Sequence, residues 1–105
     1  GMNKDLYVGY TTCASEHDAH HLLDALLSKS LVACGQVSGP ILSKYCWDGE
    51  IKSETEWRLT LKFKIDLKEE LTEALHFHHK YETPEWIFQS AESSKGYLEW
   101  MNQSE

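Results

Sequence analysis

Four side chains at helical spacing, His17, His20, His21 and Asp24, form the first pattern in this sequence that chemistry can use. Residues three, four and seven apart share a helix face. Two imidazoles at i and i+4 emerge on the same side, where they can grip a divalent ion. A solvated polar face explains the same row. The other reactive side chains are three cysteines, Cys13, Cys34 and Cys46, with no CxxC pair among them. An odd, unspaced set suits reduced thiols better than a disulfide framework, so a cytoplasmic setting is expected. Cys34 with a histidine would in principle make a nucleophile pair. No glycine-rich oxyanion or phosphate loop accompanies it and no paired carboxylates stand out, so an enzyme is not expected. Cys46, next to Trp47, reads as an inert thiol packed at an interface.

The chain that must position these groups has 105 residues, room for one domain with one core. Seventeen acidic against ten basic residues give a formal charge of −7, which repels phosphate backbones, so no nucleic-acid partner is expected. No apolar run approaches 18 residues and no basic-then-apolar leader opens the chain, so membrane insertion is not expected either. Gly1 before Met2 reads as a tag remnant, which leaves one domain over residues 2–105. Four Trp, five Tyr and three Phe supply large apolar faces for a core or an interface.

Leu6 to Thr12 is short, β-prone and aromatic, and predicts a central strand. Ser15, with Asp18 three residues on, predicts the cap of a helix over 16–29 whose inner face is Ala19, Leu22, Leu23 and Leu26. Leu31 to Val37 reads as a strand with Cys34 in its middle. Gly39-Pro40 interrupts it, and Ile41 to Trp47 continues extended. Asp48-Gly49 is a two-residue hairpin signal. The return strand, Glu50 to Lys64, ends with Trp57, Leu59, Leu61 and Phe63 on one face and Arg58, Thr60, Lys62 and Lys64 on the other. Asp66 is expected to cap a second helix carrying Leu67, Leu71, Ala74, Leu75 and His78 along one stripe. Pro84 stops helical propagation. Trp86 to Phe88 reads as a last strand, and Ser93 or Ser94 as the cap of a short terminal helix.

The order β-α-β-β-α-β plus a terminal helix predicts an α+β, ferredoxin-like fold with a long central hairpin. Hairpin strands of about 14 residues extend roughly 45 Å, whereas helices of similar length reach only some 21 Å. The hairpin tip must therefore project. Trp47 pairs with Glu50 and Tyr45 with Lys52 on one face, while Cys46 and Ile51 lie on the other. An isolated two-stranded ribbon bearing aromatics is marginal in water and invites pairing with further copies. The alternative is that Gly39-Pro40 lets the hairpin fold back on its own domain.

Several segments resemble one family, in register from the first strand to Trp100. They are Leu31-Val32-Ala33-Cys34, Ser43-Lys44-Tyr45-Cys46-Trp47-Asp48-Gly49-Glu50-Ile51, Glu56, Leu61-Lys62, His79-Lys80-Tyr81-Glu82-Thr83-Pro84-Glu85, and Gly96-Tyr97-Leu98-Glu99-Trp100. They look like the CutA divalent-cation tolerance family. Lys80 stands where the family usually has proline, and Gln36 where it often has asparagine.

The resemblance implies a homotrimer whose hairpins wrap around neighbours through Tyr45, Cys46, Trp47, Gly49 and Ile51. It also implies a role in cation homeostasis, with copper or another divalent metal bound through Cys34 and His78 or His79, and no organic cofactor. Thr11 and Ala74 stand where some members carry further thiols. The alternative to ligation is that Cys34 is a small buried hydrophobe and His78 a core-edge residue. A rival function is a PII-like trimeric signalling module, its small-molecule ligand lying between subunits near Tyr45, Trp47, Tyr81 and Glu85. A third is a rigid trimeric anchor for a partner protein.

Overall fold

A computed structural model describes residues 6–103. The elements run β1 (Leu6–Cys13), α1 (Glu16–Ser28), β2 (Cys34–Trp47), β3 (Glu50–Lys64), α2 (Lys68–His78), β4 (Ile87–Ala91) and α3 (Lys95–Gln103), with a 3-10 turn at Ile65–Leu67 before α2. The strands form one sheet in the order β2-β3-β1-β4, each neighbouring pair antiparallel. Each helical crossover, β1-α1-β2 and β3-α2-β4, therefore skips the strand lying between. This is the split arrangement expected of the sequence order. The reading of Gly1 as a remnant, and the outer limits of the 2–105 domain, fall outside the described residues.

Alternation along the strands decides where the core lies. Leu59, Leu61 and Phe63 of β3 are fully buried against Ala19, Leu22 and Leu26 of α1 and Leu71 and Leu75 of α2. Truncating one such leucine to alanine typically costs about 2–5 kcal/mol. Tyr7, Phe63, Trp86 and Phe88 extend this layer as tilted and edge-on rings, with centroids 5.4 to 6.3 Å apart. Leu6 faces the other way, and with Leu98 and Met101 forms a second small cluster under α3. That helix thus covers one end of the sheet face that α1 and α2 leave open. Its start is held by Ser94, whose Oγ accepts from the Tyr97 N–H at 3.4 Å.

α1 begins as the sequence predicts, with Ser15 Oγ accepting from the Asp18 N–H at 3.0 Å. Its end is less legible. Ser30 takes a left-handed φ of 57°, so that Ser30 N–H reaches Leu27 O and Leu31 N–H reaches Leu26 O at 3.1 Å. This closing turn, more often built on glycine, carries Leu31 and Val32 into the core as loop. The strand consequently starts at Cys34, not Leu31.

A further expectation needs correction. Asp66 does not cap α2, because the chain turns helical earlier, through the 3-10 turn. Leu67 occupies the cap position without a side-chain bond. Asp66 still lies where negative charge favours the helix dipole. Gly39-Pro40 interrupts the pairing as expected, without ending the strand. β2 runs through it with a register irregularity between Ser38 and Ile41. β2 is an edge strand, where a residue without an N–H is tolerated.

The hairpin does not fold back. Asp48 and Gly49 turn at φ 52° and 75°, and pairing runs unbroken from Ile41↔Glu56 to Trp47↔Glu50. The molecule measures 47 Å along its longest axis against 27 and 23 Å across it. The ribbon leaves Leu42, Trp47 and Ile51 respectively 65%, 68% and 78% exposed.

Candidate functional site

The end of β1 and the exit of α2 meet at His79. Its ring has defined partners on both nitrogens. The Tyr81 backbone N–H donates to Nδ1 at 3.0 Å, so Nδ1 carries no proton. Nε2 lies 2.9 Å from the Thr12 carbonyl oxygen, which can only accept, so Nε2 carries the N–H. Thr11 Oγ1 stands 3.1 Å from the same nitrogen, and Cys13 Sγ 3.9 Å. Burial holds His79 below its ordinary pKa, outweighing the Thr12 carbonyl, which raises it. The ring is therefore neutral at pH 7, the form that ligates metals. Burial, with help from Asp18 and Glu56, pushes the Cys13 thiol up to about 11.

Cys13, Asp18, His78, His79 and Tyr81 line one crevice between α1 and the segment after α2. His78 is half-buried, its ring edge-on to Phe77 at 5.0 Å. The structure thus groups the two predicted histidines with Cys13. Alternation was the available signal: Cys13 sits two residues beyond Thr11, on the same face of β1.

Cys34 lies elsewhere. It pairs with Lys62 on β3, whereas Cys13 pairs with Trp57 through β1. Lys62 and Trp57 point to opposite faces of the sheet and stand roughly 17 Å apart at about 3.3 Å per residue. The Cys34 thiol meets the Tyr97 hydroxyl at 3.3 Å, a contact that raises the Tyr97 pKa to about 12. One chain therefore does not bring Cys34 to His78 or His79. Among the described residues, no three His, Cys, Asp or Glu side chains converge well enough to hold a metal ion.

The same sheet face carries a polar pair at the root of the ribbon. Glu56 is only 8% exposed, and accepts from the Tyr81 hydroxyl at 2.8 Å. Burial raises its pKa, but hydrogen bonds from Ser43, Tyr81 and Thr12, with the nearby Arg58 charge, outweigh this and hold the carboxyl below its ordinary value. Two residues further out, the Tyr45 hydroxyl donates to Glu54 at 2.9 Å. Tyr45 and Tyr81, both predicted for a cleft, are thus held by neighbouring acids of one strand. Trp47 stays at the exposed tip, with Cys46 also exposed beside it. Glu85 makes no hydrogen bond or ion pair with a described residue.

The family model for CutA1 divalent ion tolerance protein matches residues 7–104. The chain belongs to the CutA1 family. Similar proteins include the chloroplastic Protein CutA of Arabidopsis thaliana, 33% identical over 98 residues, and a divalent-cation tolerance protein CutA of Escherichia coli, 32% identical over 94 residues. These alignments take in 92% and 89% of this chain, with 54% and 84% of the relatives, so the chain spans about half the length of the Arabidopsis protein. The solved CutA of Synechococcus elongatus superposes with a TM-score of 0.93 at 31% identity, over 99% of this chain and 93% of that one. The α+β sheet and helices described above are thus those of CutA1 structures. Among the described residues, no helix is long and apolar enough to cross a membrane.

Proposed function

We propose that this CutA1-family protein serves cation tolerance in the cytoplasm as a homotrimer that binds copper, or a similar soft ion, where Cys13 and His79 meet. The 3.9 Å approach of Cys13 Sγ to His79 Nε2 carries the reading. Thiolate and imidazole together suit Cu(I) and Zn(II). The Cys13 thiol holds its proton in the free protein, so the ion displaces that proton and affinity rises with pH. Neutral His79 ligates through Nε2 by shifting its N–H to Nδ1 and giving up the Tyr81 bond. His78 and Asp18 line the same crevice without converging on the Cys13–His79 contact, so water completes the ion's coordination. Cys34 is a separate thiol under Tyr97, and its pairing with His78 or His79 would require a histidine from another copy. The role is binding, not catalysis.

The trimer is supported by the projecting ribbon with its exposed Leu42, Trp47 and Ile51, a surface that further copies would cover. The three free thiols suit a reducing compartment.

Calorimetric titration of reduced, chelator-treated protein with Cu(I), Cu(II) and Zn(II) tests the metal reading. Cu(I) binding near one ion per chain should vanish in Cys13→Ala and persist in Cys34→Ala, and these two variants should not alter any Cu(II) or Zn(II) held elsewhere on the surface. Loss in Cys34→Ala alone would contradict it.

A second reading has its own observation. Tyr45–Glu54 and Tyr81–Glu56 line one face at the ribbon's root, where a PII-like module would hold a small molecule between subunits. It predicts that a metabolite, with no metal present, raises the melting temperature by mass action.

A further inference from the structure

We propose that α1 carries a second cation site, made by His17 and His21 on its outer face, for borderline divalent ions such as Ni(II), Cu(II) and Zn(II). The two imidazoles stand one helical turn apart, nearly parallel, with 18° between planes and centroids separated by 6.5 Å. Both residues are exposed, so rotation about their side-chain bonds can turn a nitrogen from each ring toward one ion. Neither ring hydrogen-bonds to a described residue, so an ion has no protein partner to displace. His20 differs. Its Nε2 leans back toward the Glu16 carboxylate at 3.8 Å and away from the pair. Asp18 and Asp24 on the same helix add negative charge, which favours a cation and repels anionic ligands.

Two neutral nitrogen donors define the ligand class. Imidazole suits Zn, Cu and Ni, while Mg²⁺ and Ca²⁺ require oxygen donors. Water fills the remaining coordination positions, so the site is open and exchanges its ion readily. Its donors differ from those of the thiol crevice, which favours soft ions. The site does not depend on Cys13, Cys34 or His79.

The probe is Ni(II), titrated calorimetrically into chain free of any polyhistidine tag, beside His17→Ala, His21→Ala, His20→Ala and Cys13→Ala. Chelation by two linked groups exceeds single-group binding by about 10²-fold or more. His17→Ala and His21→Ala should each weaken Ni(II) by about that factor, while His20→Ala and Cys13→Ala leave it unchanged. Both positions are exposed, and circular dichroism checks that each variant keeps its fold. Unchanged affinity in either His17→Ala or His21→Ala overturns the site, as does an equal loss in His20→Ala. Loss only in Cys13→Ala assigns the ion to the crevice and also overturns it.

Discussion

The Tyr81 hydroxyl donates to the buried Glu56 carboxylate across 2.8 Å, tying the segment after α2 to β3 at the root of the ribbon. That bond is made to a charge in a sparsely hydrated place, where hydrogen bonds are stronger than at the surface. It also joins His79, two residues before Tyr81, to the strand that carries the ribbon.

Tyr81→Phe should therefore destabilise the fold by about 1.5–3 kcal/mol at pH 7, measured by denaturant unfolding. The pH dependence has a definite sign. Glu56 is held below its ordinary value of 4.5, so its contribution is fully present above that value and is lost as pH falls through its folded pKa. The gap between wild type and Tyr81→Phe should narrow below pH 4.5. A gap that stays constant down to pH 3 would show that the charge of Glu56 is not what Tyr81 stabilises.

Gly9 lies beneath the Trp86 ring, where an added Cβ would stand 2.5 Å from Cη2. The ring cannot easily retreat, because its Nε1–H donates to Thr72 Oγ1 at 2.8 Å. Gly9→Ala should cost about 1–3 kcal/mol by overpacking, seen as a lower melting temperature. An unchanged melting temperature would mean the aromatic layer is looser than its geometry implies.

At the ribbon tip, Trp47→Glu combined with Ile51→Glu should leave the single chain's fold intact, since both side chains are largely exposed within it. If further copies cover the ribbon, the double variant should fall from three times the chain mass to one by light scattering. A wild type that already runs as one chain would remove the ribbon's proposed role.

Much of this architecture was legible in the residues. Ser15 and Asp18 marked the start of α1, Asp48-Gly49 marked the turn, and the alternation from Trp57 to Phe63 marked the buried face of β3. These signals are local, and local chemistry decides them. The failures have a different cause. Asp66 has a capping side chain, but the 3-10 turn ahead of α2 is set by how β3 hands over to the helix, which no short window contains. Ser30 closes α1 in a conformation that usually signals itself through glycine.

The candidate site was half legible for the same reason. His79 was singled out, but its partner depends on which strand end meets the exit of α2. Cys34 carried the resemblance, yet strand register sets it on the opposite face, under Tyr97. Cys13 gained significance only once β1 was paired to β3. Glu56, a charged residue in an apparently exposed hairpin, gave no local sign that Tyr81 would bury it.

X-ray absorption at copper on the Cu(I)-loaded protein, compared between Cys13→Ala and Cys34→Ala, tests whether Cys13 and His79 hold the ion. Mixed sulfur and nitrogen coordination should appear in the wild type and in Cys34→Ala, with the sulfur lost in Cys13→Ala. Sulfur coordination that survives in Cys13→Ala and disappears in Cys34→Ala would contradict it, and would place the ion under Tyr97 instead.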